Sequence, residues 1–133
     1  MKTQIKKNII LSMKPKFVRK IHNKEKRFEY RKKIWRGECK IERIYIYATR
    51  PVKQVVGYFK PGIIAIDTPE EIWRKTGFVG GIDHTEYKSY FRNCKEAYAV
   101  SIEEPHFFEV NMDLESFGVK YAPQGFLYLD SID

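Results

Sequence analysis

The chain has 133 residues, enough for one domain with its own core and too few for two ordinary domains. Hydrophobic residues make up 43% of it, which argues against wholesale disorder, and its apolar runs are too short to span a membrane. The formal charge of +8 is uneven: residues 1–60 carry 19 Lys/Arg and 4 Glu, whereas residues 61–133 carry 6 basic and 13 acidic residues. This asymmetry favours a polyanionic partner, above all nucleic acid. The alternative is that the charges serve solubility and pair within the chain.

The first part of the chain predicts a strand, a helix and a second strand. Asn8–Ser12 is typical of a short buried strand, and Pro15 suits the first turn of a helix that ends near His22–Lys24. Lys26–Lys32 follows as the second strand. The helix end calls for a left-handed residue, which Asn23 tolerates well and a lysine tolerates at a cost of roughly 1 kcal/mol relative to Gly. A turn displaced by one residue along the chain is therefore the alternative.

The middle of the chain predicts further strands and then two short helices. Ile41–Thr49 alternates clearly, and Gln54–Phe59 and Gly62–Asp67 indicate one long strand that is bent or interrupted at Lys60-Pro61-Gly62. Helices are predicted to begin at Thr68, with Pro and Glu in its first turn, and at Asp83. The second helix carries a stripe with the spacing of a packed face, which predicts core rather than a base-stacking platform: Tyr87, Tyr90, Phe91 and Cys94.

The last part predicts two strands, a helical turn and a closing segment. Glu96–Ile102 alternates, residues 107–110 suggest another strand, and Asp113–Gly118 is typical of a helical turn. Pro123–Leu129 closes the domain. We find no repeat and no linker, so residues 1–133 are predicted to form a single domain.

The stretch from Asn23 to Lys32 concentrates both signs of charge around two aromatic residues. In a strand, Phe28 and Tyr30 point to one face, and Glu29 and Arg31 point to the other. If Lys26 sits in the turn that enters the strand, Lys26, Glu29 and Arg31 converge at the mouth of a cleft. The alternative is an edge strand with a solvated, charged outer face.

Two segments around this stretch resemble the signature of the ASCH domain, a family of the PUA-like superfamily of small barrels. They are residues 11–15 (Leu-Ser-Met-Lys-Pro) and residues 21–32. The family pattern is Gly-x-Lys-x-x-x-x-Arg, often with Glu inside it; Lys26, Glu29 and Arg31 match, and Lys24 stands in place of the Gly. Residues 46–52 and 123–126 are also similar to the family, so the resemblance spans nearly the whole chain.

The resemblance implies a fold and a binding function. The fold is α+β, a mostly antiparallel PUA-like β-barrel with two or three peripheral helices. The function is recognition of RNA or a modified nucleotide in a basic cleft around Lys26–Arg31. The residues expected to contact nucleic acid are Lys14, Lys24, Lys26, Arg27, Glu29, Arg31 and Thr49.

The resemblance also leaves an enzymatic alternative open. Some small ASCH proteins deacetylate N4-acetylcytidine and some cleave RNA. In the deacetylases a nucleophilic Thr follows the motif Lys by three positions, but this chain has Glu29 there, so Glu29 would act as a general base beside Lys26. A further alternative is an interaction module without a nucleic-acid ligand.

Other chemistry has little support in the sequence. We predict no cofactor, no metal and no membrane, because the chain lacks nucleotide-loop and nucleophile-elbow motifs and its His residues are scattered. A metal site of His84, Cys94 and Glu86 can be drawn, but its spacing does not favour one. Cys39 and Cys94, in a chain without a visible signal peptide, are interpreted as reduced thiols of a cytoplasmic protein, with a disulfide between them as the alternative. Protein partners cannot be predicted.

Overall fold

The computed structural model describes residues 5–129, which form six strands and three α-helices. The strands are β1 (Ile5–Met13), β2 (Phe28–Arg31), β3 (Cys39–Ala48), β4 (Gln54–Asp67), β5 (Ala97–Met112) and β6 (Phe126–Leu129). The helices are α1 (Pro15–His22), α2 (Pro69–Thr76) and α3 (His84–Tyr90), with short 3-10 turns at Gly77–Val79 and Leu114–Phe117.

All six strands belong to one mixed sheet in the order β2-β5-β4-β3-β1-β6. Strands β1 and β3 run parallel, and the other neighbours are antiparallel. This confirms the predicted α+β class. The predicted barrel is not confirmed, because β2 and β6 remain the two edges of the sheet within residues 5–129.

Bulges explain where the predicted strands and the observed ones differ. Strand β4 continues through Pro61, which lies opposite Ile102, and the register shifts immediately afterwards. Strand β5 likewise runs unbroken over the two segments that the sequence divided, with Glu104 at a φ of 45°. An extra residue on one strand lets a ladder bend without ending, so long strands absorb these positions.

Buried residues on the two sides of β2 and β5 separate into distinct clusters. The largest cluster joins β1, β3 and β4 to α1 and includes Ile9, Ile44 and Ile21. A second cluster packs Tyr30 of β2 against Ile72 of α2, Tyr87 of α3 and Phe91, which caps the end of α3. Phe28 packs on this second cluster too, so the predicted orientation of the aromatic pair in β2 is confirmed.

Helix α1 ends at the position that the family pattern assigns to Gly. Asn23 caps the helix at a φ of −83°, and Lys24 has the left-handed φ of 66°. The amide of Lys24 donates to the carbonyl oxygen of Ile21 (3.1 Å), and the amide of Glu25 donates to that of Lys20 (2.9 Å). These are the two bonds of a Schellman motif. The turn is therefore not displaced, and Lys24 adopts the strained conformation itself.

The predicted helix starts also appear in the structure. Thr68 caps α2, and its hydroxyl accepts a hydrogen bond from the amide of Glu71 (3.2 Å). Asp83 precedes α3 without a side-chain cap bond.

Cys39 is buried, Cys94 is partly buried, and both are free thiols. No helix within the described part of the chain combines the length and apolar character needed to cross a bilayer.

Candidate nucleic-acid site

A cavity of about 170 Å³ opens between the β1–α1 junction, β2 and α3. It lies beside the motif that the sequence singled out, and we call it the motif cavity. Its walls are formed by Ser12, Met13, Lys14, Phe17, Lys26, Glu29, Tyr30, Arg31, Ile82, Glu86 and Tyr90.

Lys26 is buried in the wall of this cavity, with 4% of its surface exposed. Its ammonium group donates to the carbonyl oxygen of Gly80 (3.0 Å) and lies over the rings of Phe17 and Tyr30, at 5.3 and 5.1 Å from their centroids. Burial lowers the pKa of Lys26, and the nearby carboxylate of Glu29 partly opposes this effect. Lys26 is thus a desolvated cation at a cavity wall.

Glu29 lies between two cations. Its carboxylate oxygens are 3.7 Å from the Lys26 ammonium group and 3.6 Å from the Arg31 guanidinium group. The side chains of Glu29 and Arg31 are 11% and 17% exposed. Both project from the same face of β2 because they are two residues apart. The predicted convergence of these three charged groups on one cavity is therefore present in the structure.

The segment between α2 and α3 fixes the position of Lys26. The carbonyl oxygen of Val79 accepts a hydrogen bond from the Arg27 amide (2.7 Å), while Gly80 receives the Lys26 bond. A Cβ on Gly80 would lie 2.2 Å from the Tyr30 hydroxyl, and one on Gly81, at a φ of +66°, would lie 2.5 Å from the Lys26 Cβ. Two glycines are therefore needed where this segment passes over the motif.

Helix α3 forms the opposite wall of the motif cavity. Glu86 accepts from Lys16 (2.7 Å) and lies 3.7 Å from Lys14, and these contacts lower the pKa of its carboxyl. Tyr90 also lines the cavity, and burial raises its pKa. The sequence placed Tyr90 in a packed stripe, and it does pack on the second cluster, but part of its surface faces the cavity.

A second cavity, of about 340 Å³, shares Lys26 with the motif cavity. It is lined by Ile21, Lys24, Lys26, Arg27, Phe28, Ser101, Ile102, Glu103 and Pro105.

The seven residues predicted to contact nucleic acid divide between these two cavities. Lys14, Glu29 and Arg31 line the motif cavity, Lys24 and Arg27 line the second, and Lys26 lines both. Thr49 lines neither of them; its amide donates to the carbonyl oxygen of Met13 (3.0 Å).

Several lining residues carried no signal in the sequence. In the second cavity, the Ser101 hydroxyl donates to Glu103 (3.0 Å) and accepts from the Ile63 amide (2.8 Å). Ser101 lies in β5, opposite Phe28 of β2. The pairing of β2 with β5, which are distant in the chain, brings Ser101 to the motif, whereas Phe17 reaches it from α1.

The three residues considered for a metal site, His84, Cys94 and Glu86, do not share one cavity. His84 and Cys94 line a third cavity near Trp73, whereas Glu86 faces the motif cavity. Within residues 5–129, no three His, Cys, Asp or Glu side chains are grouped closely enough to hold a metal ion.

Comparison with known proteins finds relatives by sequence, although no family model matches the chain. The large ribosomal subunit protein uL22 of Ureaplasma parvum is 31% identical over 90 residues, which cover 68% of this chain and 29% of that protein. An ASCH domain-containing ribonuclease of Zymomonas mobilis is 29% identical over 99 residues, covering 74% of this chain and 66% of the relative. The chain thus spans under a third of the first relative and about two thirds of the second.

Structural comparison agrees with the second relative. The crystal structure of ASCH from Zymomonas mobilis superposes with a TM-score of 0.83 at 26% identity, covering 93% of this chain and 88% of the other. The shared fold therefore extends over most of both chains. The resemblance of this chain to the ASCH domain family is thereby confirmed in sequence and in fold.

Proposed function

We propose that the chain binds RNA and holds one nucleotide in the motif cavity. The observation that carries this proposal is the convergence of Lys26, Glu29 and Arg31 on a single cavity with an aromatic wall. The relative named as a ribonuclease supports the choice of RNA as the nucleic acid.

The cavity offers the groups that recognise a nucleotide. The Arg31 guanidinium presents a fixed fork of donors to a phosphate or base edge, and the Glu29 carboxylate accepts from base N–H groups. Tyr90 and Phe17 offer apolar ring surface for a base. A cavity of about 150 Å³ accommodates benzene in another protein, so the motif cavity, at about 170 Å³, has room for a ring of similar size.

Exposed cations around the two cavities would hold the flanking backbone. Lys14 stands at the motif cavity, and Lys24 and Arg27 stand at the second cavity. Phosphate contacts of this kind position a strand without reading its sequence.

Fluorescence anisotropy with a labelled single-stranded RNA, titrated at two salt concentrations, tests the binding proposal. We expect binding that weakens steeply with salt, because each Lys or Arg contact to phosphate releases counterions. Arg31→Lys should bind more weakly than the parent, while Lys120→Ala, in the acidic half of the chain, should bind like the parent. Absence of binding at low salt would contradict the proposal.

RNA cleavage is a second candidate function, favoured by the ribonuclease relative and by the Lys26–Glu29 pair. In such a reaction the Glu29 carboxylate takes the proton of a ribose 2′-hydroxyl while the ribose 2′-oxygen forms a bond to phosphorus. The bond to the 5′-oxygen breaks, and the leaving oxygen receives a proton from the Lys26 ammonium group. The products are a 2′,3′-cyclic phosphate and a 5′-hydroxyl, and Arg31 would stabilise the phosphoryl oxygens.

Product analysis separates binding from catalysis. The parent is incubated with RNA and, in parallel, with N4-acetylcytidine, and assayed for cyclic phosphate and for acetate. RNA cleavage that is lost in Glu29→Gln, at a temperature where circular dichroism shows the variant folded, supports the ribonuclease. Acetate release instead would identify a modified nucleotide as the substrate, and turnover of neither leaves RNA binding as the function.

A cytoplasmic location, which the free thiols suit, is part of the same proposal.

A further inference from the structure

Phe78 is exposed more than any other large hydrophobic side chain between residues 5 and 129, with 85% of its surface accessible. It lies in the 3-10 turn Gly77–Val79, which connects α2 to α3. Single exposed hydrophobic residues are common and mean little alone. Phe78 differs from the others in the backbone that carries it.

The turn that carries Phe78 is held on one side by the motif and on the other by α2. Val79, the next residue, accepts the hydrogen bond from the Arg27 amide at 2.7 Å, and Gly80 accepts the bond from Lys26 at 3.0 Å. On the other side, a Cβ on Gly77 would meet the Trp73 ring at 2.7 Å. The turn is packed this closely, so Phe78 is held outward in a defined place rather than on a mobile loop.

Two cations of the motif, Arg27 and Lys26, are bonded to this segment of backbone. Arg27 and Lys24 are exposed and line the second cavity, and Lys26 lines both that cavity and the motif cavity. Ile82, four residues after Phe78, is already part of the motif-cavity wall. An exposed aromatic ring is therefore carried by a turn that is bonded to basic residues of the proposed nucleotide site.

We infer that Phe78 is a stacking platform for an unpaired base next to the nucleotide held in the motif cavity, so that the ligand is single-stranded RNA. The inference rests on the proposed RNA binding. Proteins that hold single strands combine a basic groove with aromatic rings on which bases stack. Bases in a duplex are stacked on one another and cannot cover such a ring, so paired RNA gains nothing from Phe78.

Anisotropy titrations of the full chain with a labelled ten-nucleotide RNA, single-stranded and annealed to its complement, test this inference. Four variants are compared with the parent: Phe78→Ala, Phe78→Leu, Phe78→Trp and the control Val110→Ala, which truncates another side chain that is 80% exposed. Loss of one stacked base weakens single-strand binding by roughly 5- to 150-fold. We expect that loss in Phe78→Ala, a similar loss in Phe78→Leu, and parental affinity in Phe78→Trp and Val110→Ala.

The dependence on salt separates stacking from charge. Phe78→Ala should keep the parental slope of log affinity against log salt, because no phosphate contact is removed, whereas Arg27→Ala should reduce that slope by about one. If the parent binds RNA and Phe78→Ala binds it equally well, the stacking role is wrong and RNA binding stands. A parent that binds duplex as tightly as single strand, or a Phe78→Leu that matches Phe78→Trp, also contradicts the inference. A parent that binds no RNA contradicts both proposals.

Discussion

Between residues 5 and 129, two ion pairs join residues three apart in the chain, and one is exposed while the other is buried. Glu71 and Arg74 of α2 approach within 2.8 Å, with side chains 42% and 66% exposed. Lys26 and Glu29 approach only within 3.7 Å, but their side chains are 3% and 11% exposed. The shorter contact is the weaker one energetically, because water screens it and competes for both groups.

Burial, rather than contact distance, therefore distinguishes the ion pair at the candidate site from the ion pair on the exposed surface of α2. A charge removed from water is stabilised only by its few partners, so deleting one partner leaves the other uncompensated. The same isolation leaves the charges of Lys26, Glu29 and Arg31 poorly screened and able to act strongly on a ligand that enters the motif cavity.

The largest effect is expected from Glu29→Gln. The change leaves the buried Lys26 ammonium group without its carboxylate, so the free energy of unfolding should fall by roughly 3–5 kcal/mol at pH 7. Urea unfolding followed by circular dichroism measures it. A loss below about 1 kcal/mol, the range of an exposed pair, would contradict the assignment of the Lys26–Glu29 pair as buried and coupled.

The deficit of Glu29→Gln should also depend on pH. Lys26 has a pKa below its ordinary 10.5 because it is buried, and Glu29 opposes this, so the variant should lower that pKa further. Between the lowered pKa and 10.5 the unfolded chain binds the proton more readily, so stability rises with pH, over a wider interval in the variant. Urea unfolding at a series of pH values below 10.5 should therefore show the difference from the parent shrinking as pH rises; a difference that widens would contradict the assignment.

Arg31→Ala should destabilise the fold by about 2 kcal/mol, since it removes the second cation beside Glu29. Arg31→Lys should restore stability only in part, because an ammonium group does not reproduce the planar fork. Thermal melts of both variants measure this. Parental melting of both, together with parental RNA binding, would place the functional cleft elsewhere.

Lys24→Gly should stabilise the protein by about 1 kcal/mol, because Gly adopts the left-handed φ at the end of α1 without steric cost. The control is Lys33→Gly, an exposed lysine outside the positive-φ residues of the structure, which should instead lose some stability through added freedom in the unfolded chain. Equal effects of the two changes in urea unfolding would show that the conformation of Lys24 carries no strain.

The smallest effect is expected from Glu71→Gln on the exposed pair. The free energy of unfolding of this variant should change far less than that of Glu29→Gln, because water screens the exposed pair. In the same urea assay, high salt should make the difference in unfolding free energy between variant and parent smaller still. A loss as large as that of Glu29→Gln would remove the contrast between the two pairs.

Periodicity and end signals predicted most of the fold. The alternation in Ile41–Thr49 and the capping chemistry of Thr68 describe local geometry, which the nearby sequence specifies. The strand boundaries near Pro61 and between the halves of β5 were harder to predict from the sequence. A bulge depends on the partner strand, which the local sequence does not reveal.

The candidate site was predictable only where its residues are close in sequence. Lys26, Glu29 and Arg31 lie within one turn and one strand, so parity alone brings the latter two to one face. Gly80, Tyr90 and Ser101 reach the motif through strand pairing and helix packing over more than fifty residues. Thr49 is the opposite case. It lies in residues 46–52, a segment similar to the ASCH family, but it lines neither cavity.

The central claim is that the Lys26–Glu29–Arg31 cavity holds a nucleotide of RNA. The most direct measurement is an NMR titration of the isotope-labelled chain with the ten-nucleotide single-stranded RNA, following backbone amides and the Arg31 side chain. The account predicts shift changes centred on Lys26, Glu29, Arg31 and Tyr90, with Glu71 and Arg74 unmoved. Changes centred on α2, or none at low salt, would contradict it.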